Sequence, residues 1–574
     1  MRRLLGYLGR YRGRLALGIG CLLAATTLTM MVPWLYKEAV DAMGAGAPFG
    51  QVARLAALIV AIALVQGVVR TFSRFVIFNV GRDVEFDLRN DLFAHLERLP
   101  VSFYQERQTG DLMSRLVNDV NAVRMLLGPG VLNFINTPVI YAYGLAVMLY
   151  LDWQLTLIAL AIYPLALVVV KRTSRLLMER MLRVQEGLAE LSSRTQENLA
   201  GIHVVKAYAC EEREIDDFRE RNRRFQDTNM RLARVRSLIG PVMNVVGGVS
   251  TLVVLWMGGL LVMRGRLSVG DIVAFIGYLY YLAWPTMALG WMLTVLQRGR
   301  AAMQRLNELF AVEPALASPP GATTPAAARG EIALRGVRFR YPGAARPVLD
   351  GLDLTIPAGA TVAIVGRTGA GKTSLVQLLP RLFDVEAGVV ELDGRDVRTL
   401  PLHWLRRTVG LVPQDPFLFS RSIRDNVAFA GGEERVSWAV ETAGLGRDLG
   451  DMPEGLETLV GERGVTLSGG QKQRTTLARV LAAAPRVLVL DDALSSVDTE
   501  TERRILDRMR TFLRERTTIV VAHRLTTVQE ADVIVVLDDG RIVESGDHAS
   551  LLARGGLYAD LFRRQALEGE LEAV

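Results

Sequence analysis

Cysteine and lysine are scarce in this chain, and several long stretches carry no charge at all. The two cysteines, Cys21 and Cys210, lie far apart, so neither a disulfide framework nor a thiolate metal site has support. Only five of the 67 basic residues are lysine, a usage that a GC-rich genome also produces. Half of the 574 residues are hydrophobic and the mean hydropathy is +0.24, too long and too apolar for one soluble domain. Two or three domains are expected, one of them in lipid. The net charge of +7 raises the prospect of a nucleic-acid partner. The arginines, however, flank apolar segments, as at Arg2, Arg3, Arg10, Arg12 and Arg14, which is the positive-inside pattern of a membrane protein and excludes nucleic acid as the expected partner. A signal peptide with Leu15 to Val32 as its apolar region is disfavoured, because the run is long and no small-residue cleavage site follows it.

A helix needs about 20 apolar residues to cross a hydrocarbon core of roughly 30 Å. Six stretches qualify: 15–36, 55–76, 127–150, 155–171, 238–263 and 271–296. Linkers 37–54, 152–154 and 264–270 are short, whereas 77–126 and 172–237 are long, highly charged and helically periodic. The long ones read as membrane helices continuing into the cytoplasm. Six crossings from a cytoplasmic N-terminus return the chain to the cytoplasm, although Arg264 and Arg266, in an outer loop, run against the charge trend. Counting about 1.5 Å per residue from Leu55 places Arg70 and Arg74 near the inner headgroup level, where snorkelling accounts for them. Tyr278, Tyr280, Tyr281, Trp284 and Trp291 suit a cargo cavity or a plain helix interface equally well.

Between Ala311 and Gly330 the sequence is rich in proline and small residues and reads as a linker, with 1–310 as membrane domain and 331–574 as a nucleotide-binding domain. In that last part β-rich runs at 331–340, 361–365, 487–491, 518–522 and 533–538 alternate with helical patterns, which predicts an α/β fold. Residues Gly366 to Ser374 read Gly-Arg-Thr-Gly-Ala-Gly-Lys-Thr-Ser, directly after the apolar strand Thr361–Val365. Strand, glycine-rich loop and helix together make the phosphate cradle G-x-x-x-x-G-K-[ST]. Gly366, Gly369 and Gly371 let backbone N–H groups approach phosphate oxygens, with Thr368 and Ser374 in the same loop. Lys372 is placed to hold the β and γ phosphates and Thr373 to ligate Mg²⁺.

Further motifs follow in a fixed order. Leu-Ser-Gly-Gly-Gln at 467–471 precedes Val487-Leu-Val-Leu-Asp491, and around them stand Tyr341, Gln414 in Leu-Val-Pro-Gln-Asp, Val460-Gly-Glu-Arg-Gly464, Ser495-Ser-Val-Asp498 and Val521-Ala-His-Arg524. In this arrangement the chain resembles the ABC-transporter ATPase. Leu99-Pro-Val-Ser-Phe-Tyr104, Gly110 to Arg115, Glu197 to Gly201 with Val205-Lys206, and Gly270 to Phe275 extend the resemblance to the exporter type over nearly the whole chain. The resemblance implies a half-transporter: an α-helical membrane domain of six transmembrane helices with long cytoplasmic extensions, then an α/β P-loop ABC ATPase domain, working as a dimer. Bacterial multidrug-type halves are the nearest named group, so the expected location is the bacterial cell membrane with both termini cytoplasmic.

The resemblance also assigns roles: Asp491 and Gln414 to Mg²⁺ or the attacking water, His523 to the γ-phosphate and Tyr341 to adenine. Ser468, Gly469, Gly470 and Gln471 would close on the ATP held by the partner, so the active unit contains two ATPase domains. The stretches around Gly110–Arg115 and Gly201–Cys210 would include the short helices that dock on those domains. Asp492 occupies the position after the Walker B aspartate, where the family usually places glutamate. The shorter side chain withdraws the carboxylate by about 1.3–1.5 Å, and a 1 Å misplacement can cost on the order of a hundredfold in rate. A slow, ATP-retaining site is expected, paired with a different half-transporter in preference to a homodimer. The expected cargo is a hydrophobic or amphipathic molecule: drug-like, lipid or peptide. The alternatives are a homodimeric lipid flippase with Asp492 competent, and an ATP-gated regulatory subunit.

Overall fold

A computed structural model describes residues 2–161, 163–461, 464, 466–522 and 528–572. Its contacts divide the chain into two compact units, Met1–Ala94 with Gly110–Ala311, and His95–Thr109 with Val312–Val574.

The first unit is helical: α1 Arg2–Arg10, α2 Arg12–Gly44, α3 Phe49–Leu96, α4 Val101–Gln105 (which belongs to the second unit), α5 Thr109–Leu151, α6 Trp153–Leu160, α7 Tyr163–Ala200, α8 Ile202–Ala207, α9 Glu211–Met263 and α10 Val269–Phe310. Among the described residues five of these, α2, α3, α5, α9 and α10, are long and apolar enough to cross a membrane. The predicted span 155–171 falls on α6, on Ile162, which lies outside the described residues, and on the start of α7. The 48 residues of α3 make a helix about 72 Å long, more than twice the hydrocarbon thickness. Charged stretches thus continue the membrane helices, as their periodicity predicts. Beyond the apolar stretches α7 and α9 are laced antiparallel by charge, with Arg194 bonded to Asp217 at 3.0 Å and to Glu214 at 2.6 Å.

α5 contains two π-type turns, Arg115–Asp119 and Leu126–Gly130. Pro129 in the second lacks an N–H and cannot continue the regular ladder, and Asn133 Nδ2 satisfies the Pro129 carbonyl at 2.8 Å. Asp119, at the first turn, accepts from Arg305 of α10. At the far end of α10, Ser268 caps the helix in a reciprocal box with Asp271, and Lys37 of α2 pairs with Asp271 at 2.9 Å.

α2 and α3 run antiparallel, and their polar contacts form a ladder along the two helices. Arg14 pairs with Asp83 at 3.1 Å, Ser73 donates to the Gly18 carbonyl at 2.8 Å, and Arg70 donates to Thr29 Oγ1 at 2.5 Å. Thirteen residues of helix separate Asp83 from Arg70, about 20 Å, and nine separate it from Arg74, about 14 Å. Arg70 and Ser73 thus lie within one helical turn of each other, and Asp83 about three turns further on, along the face of α3 that meets α2.

The second unit carries two sheets. β1 Ile332–Phe339, β2 Leu349–Ile356, β4 Ala387–Leu392 and β5 Arg395–Asp396 form an antiparallel sheet in the order β2-β1-β4-β5. β3 Thr361–Gly366, β6 Val409–Val412, β7 Val487–Asp491, β8 Thr517–Val521, β9 Val533–Asp538 and β10 Arg541–Gly546 form the other, in the order β10-β9-β3-β8-β7-β6. All its pairings are parallel except β9 with β10. β3 and β7 are buried apolar runs, as interior parallel strands require, and both pair with β8. The segment 312–330 is held to this unit: Ser318 Oγ accepts from Leu402 N at 3.0 Å, and Asp393 accepts from the backbone N–H of Arg329, Gly330 and Glu331.

Candidate active site

Ligands of parallel sheets collect beyond the carboxyl ends of the strands, and three ends meet here. β3 ends at Gly366, β7 at Asp491 and β8 at Val521, with Ile364 and Asp491 each in register with Val521. After β3 the chain turns through Gly371, at φ +97°, into the helix Lys372–Leu378. A Cβ on Gly371 would stand 2.9 Å from Leu349 Cδ2, and one on Gly366 would strike the Leu537 carbonyl oxygen, so the loop closes tightly only with glycine at both positions.

The loop and the strand ends enclose a cavity of about 310 Å³ lined by Thr368, Gly369, Gly371, Lys372, Thr373, Ser374, Gln414, Asp491 and Asp492, with Val348 and Val521. Lys372 is buried, and its Nζ donates to the carbonyls of Gly366 at 2.8 Å and Arg367 at 3.0 Å. Burial pushes its ammonium below the usual lysine range, while Asp491 and Asp492 pull the other way. Thr373 Oγ1 donates to Asp491 Oδ1 at 3.3 Å, and Asp491 is only 2% exposed. A hydroxyl and a carboxylate side by side are hard oxygen donors that fit Mg²⁺, which keeps much of its shell for water and phosphate.

Asp492 has a left-handed backbone, φ +49°, and its N–H donates to the Val521 carbonyl at 2.9 Å. Aspartate visits this region more readily than most residues do. Tyr341 is not among the residues that line the cavity. Its hydroxyl is bonded to Ser374 Oγ, itself on the cavity wall, at 3.0 Å and its ring meets Phe339 and Phe383 edge-on. His523 lies outside the described residues.

The Leu467–Gln471 motif is elsewhere in the unit. Ser468 is the exposed N-cap of the helix Gly469–Ala483, accepting from Gln471 N at 3.3 Å while Gln471 Oε1 accepts from Ser468 N at 2.9 Å. None of Ser468, Gly469, Gly470 and Gln471 lines the phosphate cavity. Their N–H groups sit at a helix N-terminus, where anions are favoured. Two residues to which the motif assigns no role, Gln473 just after it and Arg479 further on, connect these parts. Gln473 is 4% exposed and bridges Ser495 Oγ and Ser496 N, each at 2.8 Å. Arg479 binds the Asn426 and Phe417 carbonyls at 2.7 and 3.0 Å and so ties the helix to the segment after Gln414. Their signal in the sequence is helical spacing alone: Gln473 lies in the turn after the motif and Arg479 two turns on.

With this geometry in place, the chain can be set beside known proteins. Residues 15–286 match the family described as ABC transporter transmembrane region, and 349–495 the family described as ABC transporter. A probable multidrug resistance ABC transporter ATP-binding/permease protein of Bacillus subtilis is 35% identical, over 99% of this chain and 98% of the relative. An ATP-dependent lipid A-core flippase of Syntrophus aciditrophicus is 33% identical, over 99% and 95%. The solved structure of a bacterial Atm1-family ABC exporter with ATP bound superposes with a TM-score of 0.78 at 31% identity, covering 97% of this chain and 98% of that one.

Proposed function

The chain belongs to the ABC transporters of the exporter type, a membrane unit and an ATPase unit in one polypeptide that couples ATP hydrolysis to transport, and from that premise we propose that it is one half of a dimer that moves hydrophobic or amphipathic molecules out of the cytoplasm or the inner leaflet. Both termini are then cytoplasmic, where ATP is available. The observation that carries the dimer is the separation of the two nucleotide motifs. The cavity with Lys372 and Asp491 has no wall from Ser468–Gln471, which sit exposed at another helix N-terminus. A second ATPase unit supplies the missing face, and this chain's motif does the same for its partner.

Phosphoryl transfer to water needs charge neutralisation and an aligned nucleophile rather than covalent help. Lys372 and the loop N–H groups hold the β and γ phosphates. Thr373 and Asp491 hold Mg²⁺, which would neutralise phosphate charge. Gln414 faces the same space, and Asp492 is the candidate base. His523 and Tyr341 retain the roles the family implies for them, the γ-phosphate and adenine.

The shorter carboxylate at Asp492 favours a slow site on this chain and a heterodimer in which Ser468–Gln471 complete the competent site of a different half-transporter. The left-handed backbone at Asp492 supports the same reading, because it accommodates aspartate more readily than glutamate. The competing reading is a homodimer with Asp492 competent. ATP turnover by the purified chain alone separates them: near-background turnover is expected, and brisk turnover abolished by Asp492→Asn overturns the heterodimer.

A further inference from the structure

The exposed turn Ser468–Gln471 is held from outside its own helix by one carboxylate. Asp448, in the short helix Gly446–Gly450, accepts from Gln471 Nε2 at 2.9 Å through Oδ1. The same carboxylate takes Arg474 in a two-pronged pair, Nη1 to Oδ2 at 2.9 Å and Nη2 to Oδ1 at 3.1 Å. Arg474 also donates through Nε to the Gly470 carbonyl at 3.3 Å and through Nη1 to the Gly444 carbonyl at 2.7 Å. Both members of the pair are mostly buried, with side chains 13% exposed for Arg474 and 19% for Asp448. The Gln471 side chain is committed at both ends, because its Oε1 already accepts from Ser468 N. It works as a strut from the cap residue to Asp448.

The N–H groups at this helix start are what a phosphate would meet, and the peptides from Ser468 to Gln471 set their aim. Arg474 grips one of those peptides at the Gly470 carbonyl, Gln471 steadies the next through its amide, and both lead to Asp448. The pair also settles charge. A lone carboxylate beside a phosphate-binding helix start would repel the anion, and the guanidinium cancels it. We propose that Asp448, which does not line the phosphate cavity, is a positioning residue for ATP hydrolysis: through Gln471 and Arg474 it holds Ser468–Gln471 in the orientation that completes the partner's ATP site. Donors stabilise a developing charge only when they are already aimed at it. The effect on turnover rests on the dimer reading; the clamp itself does not.

Asp448→Asn keeps the shape of the side chain and removes its charge. In the nucleotide-free full chain, hydrogen exchange of the Gln471–Arg474 amides should quicken by about tenfold, while the amides of the helix Lys372–Leu378 stay as in the parent. In an assembly that hydrolyses ATP, the chain alone or with its partner half-transporter, the variant should lower kcat by about tenfold or more and leave KM for ATP within about twofold, since that ATP is already held by the opposite loop. Arg474→Gln should bring a similar loss, and the double variant no more than either alone, because the two groups work as one unit. Binding of a fluorescent ATP analogue by the chain itself should match the parent; a loss there marks a damaged fold and overturns the positioning role. Unchanged exchange, unchanged kcat, a rise in KM without a fall in kcat, or losses that multiply in the double variant each overturns it too. If no assembly hydrolyses ATP, the exporter reading falls and exchange still decides whether Asp448 holds the turn. Brisk turnover with unchanged exchange in the variant sinks the clamp alone.

Discussion

In the ATPase unit the groups around the phosphate cavity come from a contiguous loop and from the ends of adjacent parallel strands, whereas the groups around a cavity of about 440 Å³ in the membrane unit, between α2, α3, α5 and α10, come from four separate helices. The first cavity is closed by backbone: glycine contacts, strand register and carbonyls that already hold Lys372. The second is bounded by side chains, and the Arg70 that lines it bonds to the neutral Thr29 and Gln66. One site is shaped for a fixed ligand and the other is shaped loosely, with its charge uncommitted.

The largest effect that bears on this contrast lies outside both cavities. In a complex with its partner half-transporter, Gly469→Asp places a carboxylate at the helix N-terminus that would face the partner's ATP. ATP turnover should fall by about a hundredfold or more, while Lys372→Ala in the same complex should lower it only severalfold. Equal losses would mean that both composite sites turn over alike. Next in size, Asp492→Glu restores the missing methylene, and turnover by the chain alone should rise on the order of tenfold, less any cost of placing glutamate at φ +49°. No gain would show that the backbone at this position, not the side-chain length, sets the rate.

Gln473→Ala tests whether the ATPase unit is as closed around its loops as around its phosphates. The buried amide bridges Ser495 and Ser496, and its loss removes both hydrogen bonds at a cost of about 1–3 kcal/mol. Turnover should fall by about tenfold with little change in ATP affinity, since neither serine lines the phosphate cavity. A matching fall in affinity would place the clamp in nucleotide binding.

The same contrast explains what could be read from residues alone. Gly366–Ser374 were legible because the loop is contiguous and its backbone geometry admits few sequences. Asp491 and Asp492 were legible because an apolar strand delivers them, although the left-handed turn at Asp492 was not. The role of Gln473, and Arg479 altogether, were not legible because their partners, Ser495–Ser496 and Phe417–Asn426, are brought to them by packing and not by spacing. The order of the six-stranded sheet, with β8 between β3 and β7, left no local mark. In the membrane unit the helices were legible from apolar length, but depth was not. The pairing of Arg70 with Thr29 of α2 left no mark in the sequence, because it is set by helix packing.

The smallest effect comes from Lys372 itself and measures how closed the phosphate cavity is. In the nucleotide-free chain burial holds its pKa below the 10.5 of an exposed lysine. Between the two values the unfolded state binds more protons than the folded one, so stability rises with pH across that window. Below the folded pKa both states carry the proton and the burial penalty is complete; above 10.5 both are neutral and it is gone. Lys372→Met removes the titrating group, so its thermal midpoint should exceed the parent's at neutral pH and the gap should close as pH approaches 10.5, by about 1–2 °C for a single group in a chain of this size. Bound ATP supplies phosphate oxygens to the ammonium, which raises the folded pKa and should remove the alkaline gain in the parent while leaving the variant unchanged. Midpoints at neutral and alkaline pH, with and without ATP, decide the matter. A gap that stays constant with pH would mean that Lys372 is solvated in the fold, and the phosphate cavity would then be as open as the membrane one.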